Sequence, residues 1–399
     1  MKILMVNKFL FNKGGAETYM IKLGEYLKSQ GNEVQYFGMY SEDLCAENEV
    51  KEYVSNMDFR NGSTLSKITY PFKVIYSFEA RRKIGKVLDN FKPDIVHLNN
   101  INYQLTPSII YEVKKRNIPI VQTVHDAQIV CPSHRLFNEQ TGKICERCVN
   151  GTYINCLKEK CIQGSFLKSL TASIESYYYH ARKTYNLIDH FICPSNFIAD
   201  KIKNSSIDKS KITVLCNFTD KVESDFLKNN SDEKYIVYFG RLSIEKGIGT
   251  LIEACKELEN IKFIIAGSGP LEEQIENLPN VKYVGFKTGE ELKNLISNAC
   301  LSLAPSEWYE NCPLSIIESQ MLGTPVLASD LGGNKELIIE GKTGEKFSAG
   351  NVSELKSKIQ DLWNSPEKLQ YMREECLKNK ENSIDRYYKK LMGIYEKLV

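Results

Sequence analysis

Residues 2–38, KILMVNKFLFNKGGAETYMIKLGEYLKSQGNEVQYFG, carry the pattern that decides the fold. Their first five residues form an apolar run that predicts a buried strand. Residues 15–29 carry apolar side chains at helical spacing, with Gly31 just past the end of the predicted helix. Residues 33–38 predict a second strand. A strand, a helix and a strand in succession are typical of a doubly wound α/β domain.

The same alternation continues along the chain and begins again after residue 210. Short β-branched runs at 94–98 and 119–124 predict two more strands of a buried parallel sheet. The polar and charged stretch at 219–234 is the best candidate for a linker. The later predicted strands are 212–217, 235–240, 262–267, 281–286, 301–305 and 325–329. We therefore expect two α/β domains.

Length and composition agree with two soluble domains. The chain has 399 residues, of which 42% are hydrophobic and 26% are charged. Its formal net charge of +2 carries no signature of nucleic-acid binding. The first apolar run is too short for a signal sequence, and no stretch approaches the roughly 20 apolar residues that a membrane span needs. We expect a cytoplasmic protein.

The segment 304–333, APSEWYENCPLSIIESQMLGTPVLASDLGG, is the richest in chemistry. Pro313 suits the first turn of a helix and Gly323 suits the position just after its end, which predicts a helix over Pro313–Leu322. The cap is expected at one of the two preceding residues, Asn311 or Cys312. The free N–H groups and the dipole at such a helix start favour an anion.

Two carboxylates bracket this predicted anion site. Glu310 comes just before the helix, and Glu318 lies about five residues inside it, roughly 7.5 Å along the axis. A diphosphate at the helix start would place Glu318 near ribose hydroxyls and Glu310 near a donor sugar. Two surface glutamates are the alternative. The backbone predicted to contact the donor is that of Asn311, Cys312, Pro313 and Leu314.

Two cations follow a predicted strand in the segment 239–247, FGRLSIEKG. A departing nucleotide diphosphate must be neutralised, either by Mg²⁺ or by fixed cations and helix dipoles. The sequence contains no Asp-x-Asp to hold a metal, so Arg241 and Lys246 are the candidates. A solvated basic loop is the alternative.

Glycines mark two further turns at strand ends. Gly14 and Gly15 precede a predicted helix, where bare backbone allows a phosphate or sugar to approach closely. Gly267 begins the sequence GSGP at the end of another strand and is predicted to contact the donor. The dinucleotide fingerprint Gly-x-Gly-x-x-Gly is absent from the sequence.

Together these motifs resemble the family 4 retaining glycosyltransferases of the GT-B fold. The residues that carry the resemblance are Glu310-x₇-Glu318, Arg241 with Lys246, Gly14-Gly15-Ala16-Glu17 and Gly323-Thr324-Pro325-Val326. The resemblance implies an α/β protein with two Rossmann-like doubly wound domains that face a central cleft. It implies an acceptor-binding domain over 1–217, a nucleotide-sugar-binding domain over 218–382, and a final helix, 383–399, that crosses back to the first domain.

The resemblance also implies roles for single residues. Arg241 and Lys246 would contact the donor diphosphate, Glu310 the transferred sugar and Glu318 the ribose. Gly15 would lie against the donor, and the family's N-domain histidine matches His125. Catalysis would need no cofactor. The sequence departs from many members at Asn217-Phe218, where they carry Asn-Gly. It also departs in the residues that follow Glu310, so the resemblance does not imply which donor sugar is used.

A cysteine-rich insertion lies at 128–165. Its cysteines at CxxC and CxxxxC spacing suit a four-thiolate structural zinc site, and reduced thiols are the alternative. Both interpretations stay open from the sequence. The candidate ligands are Cys145, Cys148, Cys156 and Cys161.

Residues 68–92 mix aromatic and basic side chains. They predict either an ordinary amphipathic helix or a contact with anionic lipid at the inner face of the cell membrane. In the second case a polyprenyl-linked saccharide becomes a candidate acceptor, as in cell-surface polysaccharide synthesis. The cations concerned are Arg81, Arg82, Lys83 and Lys86. A sugar-nucleotide epimerase of the same fold and an inactive nucleotide- or membrane-binding subunit are the alternatives to a transferase.

Overall fold

The computed structural model describes residues 1–56, 64–220, 233–379 and 381–399, with the backbone alone for 64–69. Most of the predicted linker therefore lies outside the described residues. The chain divides into two compact units. The first comprises Met1–Cys216 together with Tyr387–Val399, and the second comprises Asn217–Arg386. Among the described helices, none is both long enough and apolar enough to cross a membrane.

The first unit is built on a six-stranded parallel sheet. Its strands are β1 (Lys2–Val6), β2 (Glu33–Phe37), β3 (Ile95–Leu98), β4 (Ile120–Thr123), β7 (His190–Cys193) and β8 (Ile212–Val214), while β5 (Phe137–Asn138) and β6 (Lys143–Ile144) form a separate antiparallel pair. The order across the sheet is β2-β1-β3-β4-β7-β8. The direction of winding therefore reverses between β1 and β3.

Helices of the first unit surround this sheet. They are α1 (Gly15–Ser29), α2 (Thr64–Ile75), α3 (Phe78–Phe91), α4 (Ile109–Lys114), α5 (Ile154–Lys158), α6 (Phe166–Ala181) and α7 (Asn196–Lys203). The hydroxyls of Ser77, Ser165 and Ser195 each accept an N–H three residues later and cap α3, α6 and α7. Apolar strands such as β1, in which Ile3 and Leu4 are fully buried, form the core.

The second unit repeats this plan. Its strands are β9 (Ile236–Phe239), β10 (Phe263–Ala266), β11 (Val281–Tyr283), β12 (Leu301–Ala304), β13 (Val326–Ser329) and β14 (Gly344–Phe347). They pair in parallel in the order β11-β10-β9-β12-β13-β14, so the winding reverses between β9 and β12. The helices are α8 (Ile248–Lys256), α9 (Glu272–Glu276), α10 (Gly289–Ser297), α11 (Leu314–Met321), α12 (Asn334–Leu337), α13 (Val352–Trp363) and α14 (Pro366–Lys378).

Alternate residues of the second sheet bury into opposite sides. In β9, Ile236 and Tyr238 join a cluster with residues of α8 and α13, whereas Val237 and Phe239 join a second cluster with Ile296 of α10. This two-sided burial explains why the strand is apolar throughout rather than alternating. Two doubly wound α/β units are therefore present, as the sequence predicted.

The last helix, α15 (Ile384–Tyr395), starts in the second unit's stretch of chain, and its residues from Tyr387 onward belong to the first unit. Its buried side chains there are Tyr387, Leu391 and Tyr395, four residues apart. The Tyr387 hydroxyl bonds that of Tyr19 on α1 at 2.5 Å. The apolar face that helical spacing predicts from the sequence, through Tyr387, Leu391, Ile394 and Leu398, therefore misses the fully buried Tyr395.

Every strand predicted from the sequence is present, although most end earlier than predicted. Strand β8, for example, stops at Val214 rather than at residue 217. Four described strands were missed, which are the short β5–β6 pair and two strands of the parallel sheets. Of the latter two, one is β7, which is short, and the other is β14, whose sequence GEKF lacks an apolar run.

Candidate active site

The loops that follow β9 and β12 meet at the reversal point of the second sheet. Ligands of open parallel sheets bind at such a point, beyond the carboxyl ends of the strands. Leu242, in the loop after β9, donates its N–H to the Ser268 carbonyl at 2.9 Å, and the Glu307 N–H donates to the Glu245 carbonyl at 2.9 Å. Backbone hydrogen bonds therefore hold the loops after β9, β10 and β12 together.

Close contact between these loops requires glycine at two positions. Gly247 has a φ of +72°, and a Cβ there would lie 1.8 Å from the Pro305 carbonyl oxygen. Gly267 has a φ of +149°, and a Cβ there would lie 1.8 Å from the Gly240 carbonyl oxygen. Larger residues would clash in both places. Gly267, predicted as a donor contact, therefore also has a packing role.

Glu310 is the most strongly held carboxylate of this region. Its side chain is only 12% exposed. Its Oε1 accepts hydrogen bonds from Lys246 Nζ at 2.5 Å, from Ser306 Oγ at 2.8 Å and from Trp308 Nε1 at 2.8 Å. Burial alone would raise its pKa, but the Lys246 ammonium and the hydrogen bonds outweigh burial and lower the pKa of Glu310. Glu310 is therefore ionised at neutral pH.

The two predicted cations have different surroundings. The side chain of Lys246 is 26% exposed and pairs with Glu310, with its ammonium also 5.5 Å from the centre of the Trp308 ring. The side chain of Arg241 is 57% exposed, with its guanidinium 3.7 Å from the Glu245 carboxylate. The sequence predicted both cations at a diphosphate. In the structure, Lys246 and Glu310 are brought together and Arg241 is the more accessible cation.

Helix α11 begins one residue later than predicted. It runs from Leu314 to Met321, and its N-cap is Pro313, in an extended conformation with φ of −68° and ψ of 125°. The prediction that Asn311 or Cys312 caps the helix is wrong, because proline itself occupies that place. Glu318 is the fifth helical residue, about 6 Å along the axis, and is partly buried.

Asn217 anchors the chain just before α11. Its backbone N–H donates to Cys312 Sγ at 3.3 Å, and its side-chain Nδ2 donates to the Cys312 carbonyl at 2.9 Å. Cys312 is only 6% exposed. In the sequence, Asn217 stands out only as part of the Asn217-Phe218 departure from the family's Asn-Gly. In the structure, Asn217 holds the backbone at Cys312 in place within the second unit.

Three residues that support the site were not predicted. Ser306 and Trp308 bond Glu310 directly, and Gly333 donates its N–H to the Glu310 carbonyl at 2.7 Å. A Cβ on Gly333 would lie 1.6 Å from the Asn311 carbonyl oxygen. One signal was available, because Trp308 is one of only two tryptophans in the chain and lies between two predicted site motifs.

The first unit places His125 just beyond β4. Its Nε2 lies 2.9 Å from the Asn99 side-chain oxygen, and its ring meets the Tyr19 ring edge-on at 4.8 Å. Burial lowers the pKa of His125 to about 4, so the imidazole is neutral at pH 7. A neutral ring donates from Nε2 to Asn99. Asn99, which follows β3, therefore fixes the ring and was not predicted.

Gly14 and Gly15 lie at the start of α1. Gly14 is the N-cap, with extended backbone, and Gly15 is the first helical residue. Both are exposed. The nearby Glu17 is buried and accepts a hydrogen bond from Asn7 Nδ2 at 3.1 Å. The two glycines thus leave the start of α1 open, as close approach of a ligand would require.

Three of the four candidate zinc ligands in the insertion are buried in one cluster. Cys148, Cys156 and Cys161 are buried together around Tyr153, whereas Cys145 is less buried. Among the described residues, no group of three or more His, Cys, Asp or Glu side chains has the geometry to hold a metal ion. The zinc site stays a prediction.

The comparisons with known proteins fit this geometry. The model of glycosyltransferase family 4 matches residues 13–222, and that of glycosyl transferases group 1 matches residues 220–378. The chain belongs to glycosyltransferase family 4. The predicted family is thereby confirmed.

Curated relatives of this family 4 protein are distant. An uncharacterized glycosyltransferase of Methanocaldococcus jannaschii is 26% identical over 345 residues, which are 82% of this chain and 79% of the relative. Another from the same organism is 28% identical over 212 residues, and the match spans only 58% of its length. The alpha-D-kanosaminyltransferase of Streptomyces kanamyceticus is 30% identical over 180 residues, which are 42% of this chain and 46% of the relative.

Solved structures share the fold of this family 4 protein. HepE of Anabaena, in complex with UDP, has a TM-score of 0.67 at 18% identity, with all of both chains covered. The sucrose-phosphate synthase of Thermosynechococcus elongatus has a TM-score of 0.70 at 17% identity, with 100% of this chain and 98% of the other covered. The predicted GT-B fold is confirmed.

Proposed function

We propose that this family 4 protein is a retaining, hexosyl-type glycosyltransferase that uses a nucleotide-diphosphate sugar. The observation that carries the proposal is Glu310, an ionised carboxylate held by Lys246, Ser306 and Trp308 just before α11. A fixed negative charge there suits a sugar whose anomeric carbon becomes positive as the bond to the diphosphate breaks. The preorganised hydrogen bonds keep the carboxylate in place during that step.

The leaving diphosphate needs positive charge on the same side of the donor. The start of α11 offers backbone N–H groups that the N-cap Pro313 does not cap with a side chain, together with a helix dipole, and the exposed guanidinium of Arg241 adds a full charge. Fixed groups of this kind substitute for a metal ion, so we infer metal-independent catalysis. Glu318, four residues beyond the first residue of α11, is assigned to the ribose.

The names of relatives support a sugar donor and a saccharide acceptor. HepE was solved with UDP and with UDP-glucose, which makes a uridine donor the first to test. The curated relatives include a 2-deoxystreptamine N-acetyl-D-glucosaminyltransferase of Niallia circulans and an amylovoran biosynthesis glycosyltransferase of Erwinia amylovora. We infer a saccharide or polyprenyl-linked saccharide acceptor in polysaccharide synthesis.

One experiment tests the reaction class. The full chain is incubated with a panel of sugar nucleotides, with and without lipid-linked and free saccharide acceptors, and free nucleotide diphosphate and glycosylated product are measured. A transferase releases diphosphate in step with product, whereas conversion of the donor without an acceptor would indicate an epimerase and overturn the proposal.

A parallel series tests independence from metal. Activity should persist in EDTA, with a thermal melt to show that the cysteine-rich insertion stays folded. Turnover that is lost in EDTA and restored by Mg²⁺ or Mn²⁺ alone, at unchanged melting temperature, would contradict metal-independent catalysis.

A further inference from the structure

Helix α6 has its polar face inward and its apolar face outward, the reverse of an ordinary helix on a globular domain. The buried polar side chains are Ser169, Thr171, Ser173, Glu175 and Ser176. The exposed side chains include four large apolar ones, which are Phe166 at 56%, Leu167 at 60%, Ile174 at 45% and Tyr177 at 43%. Such a contiguous apolar face indicates an interaction surface.

The apolar residues follow the period of the helix. Phe166, Ile174 and Tyr177 are spaced eight and three residues apart, which aligns them along one side over about 16 Å. Leu170 lies on the same side and is partly buried. The exposed face is therefore a continuous stripe rather than scattered apolar residues, which are normal on any surface.

Hydrogen bonds fix the rotation of the helix. Ser169 Oγ accepts the Ile162 N–H at 3.1 Å, Ser173 Oγ donates to the Tyr153 carbonyl at 3.0 Å, and the Tyr179 hydroxyl donates to the Ile75 carbonyl at 2.6 Å. Turning the apolar stripe inward would break these bonds and bury their partners unpaired. The outward stripe is thus built into the fold of the first unit.

The neighbouring helix α5 extends the stripe. Ile154, at its start, is 38% exposed, and its N–H donates to the Tyr177 hydroxyl at 3.2 Å. The rings of Tyr153 and Tyr177 lie 5.1 Å apart and link the two helices. We call Ile154, Phe166, Leu167, Ile174 and Tyr177 the α6 face.

The charges around the α6 face are positive. Its exposed basic neighbours in sequence are Lys158, Lys160, Lys168, Arg182 and Lys183. Acidic groups nearby are neutralised, because Glu146 pairs with Lys201 at 2.7 Å and Glu159 pairs with Arg147 at 2.7 Å. Glu175, on α6 itself, is buried, and burial raises its pKa to about 8. An apolar stripe with a basic rim matches an anionic lipid surface.

The cations predicted for membrane contact at 68–92 are a weaker match. Arg81 pairs with Glu112 at 2.9 Å and Lys83 with Glu79 at 2.9 Å. Lys86 pairs with Glu52. Three of the four predicted lipid-facing cations thus already pair with carboxylates of the first unit, and lipid contact at 68–92 stays a prediction.

We propose that the α6 face docks on anionic membrane. The apolar side chains enter the headgroup boundary while the basic rim contacts lipid phosphates. This rests on the proposed function only for its purpose, which is to bring the enzyme to a lipid-linked acceptor. Binding itself is measured without any sugar donor, so a failure of one proposal is distinguishable from a failure of the other.

The test is flotation of the full chain with phosphatidylcholine vesicles and with vesicles of equal parts phosphatidylcholine and phosphatidylglycerol. The wild type should float with the anionic vesicles, and less so at high salt. In the double variant Ile174→Ser, Tyr177→Ser, the partition coefficient onto anionic vesicles should fall at least about tenfold, because two apolar side chains are lost. The matched control Ile339→Ser, Tyr371→Ser changes equally exposed residues of the second unit and should bind like wild type.

A second variant guards against misfolding. Lys158→Glu, Lys160→Glu, Lys168→Glu reverses three exposed charges without touching the apolar contacts, and should abolish anionic binding at an unchanged melting temperature. Wild-type flotation by either variant, or no flotation of the wild type, would overturn the proposal. So would a wild-type dimer that the serine variant converts to a monomer without any vesicle binding, because the α6 face would then join two copies.

Discussion

The ammonium of Lys246 lies 2.5 Å from Oε1 of Glu310, although 64 residues separate them in the chain. This ion pair joins the loop after β9 to the loop before α11. It keeps the largely buried Glu310 carboxylate charged. It also engages Lys246, which was predicted to contact the diphosphate. Arg241, with its side chain 57% exposed, is left as the cation more open to an incoming phosphate.

The two cations should therefore respond differently to removal. Arg241→Ala should weaken UDP binding about tenfold or more, because a charge-assisted contact is worth about 1.5–3 kcal/mol. Lys246→Ala should lower kcat more than it lowers UDP affinity, because it disturbs Glu310. Calorimetry with UDP and with uridine, which lacks phosphates, measures the affinities, and steady-state turnover of the sugar donor measures kcat.

The control for the cation variants is Lys256→Ala, an exposed cation of α8 paired with Glu253. It should change neither UDP affinity nor kcat. Equal UDP affinity in Arg241→Ala and wild type would remove Arg241 from the diphosphate site.

Glu318 should act on the nucleotide rather than on the sugar. Glu318→Gln should weaken binding of UDP and of the intact donor to a similar extent, because the ribose is common to both. Calorimetry with each ligand, beside Glu374→Gln on the exposed side of α14 as a control, tests the assignment. If UDP binds Glu318→Gln as tightly as wild type, Glu318 does not contact the ribose.

Local patterns in the sequence predicted most strands of the two parallel sheets and helix α11. Apolar runs identify β1, β9 and β12 because both faces of a parallel sheet are buried. Proline and glycine locate the ends of α11 to within one residue. Such signals depend on neighbours in sequence, so they are available before the fold is known.

Contacts between distant residues could not be predicted in this way. Nothing in the sequence pairs Lys246 with Glu310 or sets Asn217 against Cys312, since both contacts depend on how loops meet after folding. The inward polar face of helix α6 could not be predicted for a related reason. Its inward serines bond to the backbone of Tyr153 and to Ile162, and this makes a polar face the buried one.

Glu175 gives the fold a dependence on pH. Burial raises its pKa to about 8, above the usual value of 4.5, so the folded state keeps a proton that the unfolded state loses. Stability should fall as pH rises from about 4.5 to about 8, by at most about 3 kcal/mol at pH 7. Glu175→Gln mimics the protonated form and should lack this loss.

Thermal melts of wild type and Glu175→Gln at pH 5 and at pH 8 check the linkage. The variant should gain stability over wild type at pH 8 and little at pH 5. A stability difference that is the same at both pH values would show that Glu175 does not hold a proton in the folded protein.

Glu310 carries the charge on which the proposed catalysis depends, and its Gln variant isolates that charge. Glu310→Gln keeps the shape of the side chain but removes the charge that we propose faces the transferred sugar. Turnover and UDP affinity are measured together, with a thermal melt to separate catalysis from folding. We predict that kcat falls about a hundredfold while UDP affinity stays within about threefold of wild type. Wild-type turnover in a folded Glu310→Gln protein would contradict the account.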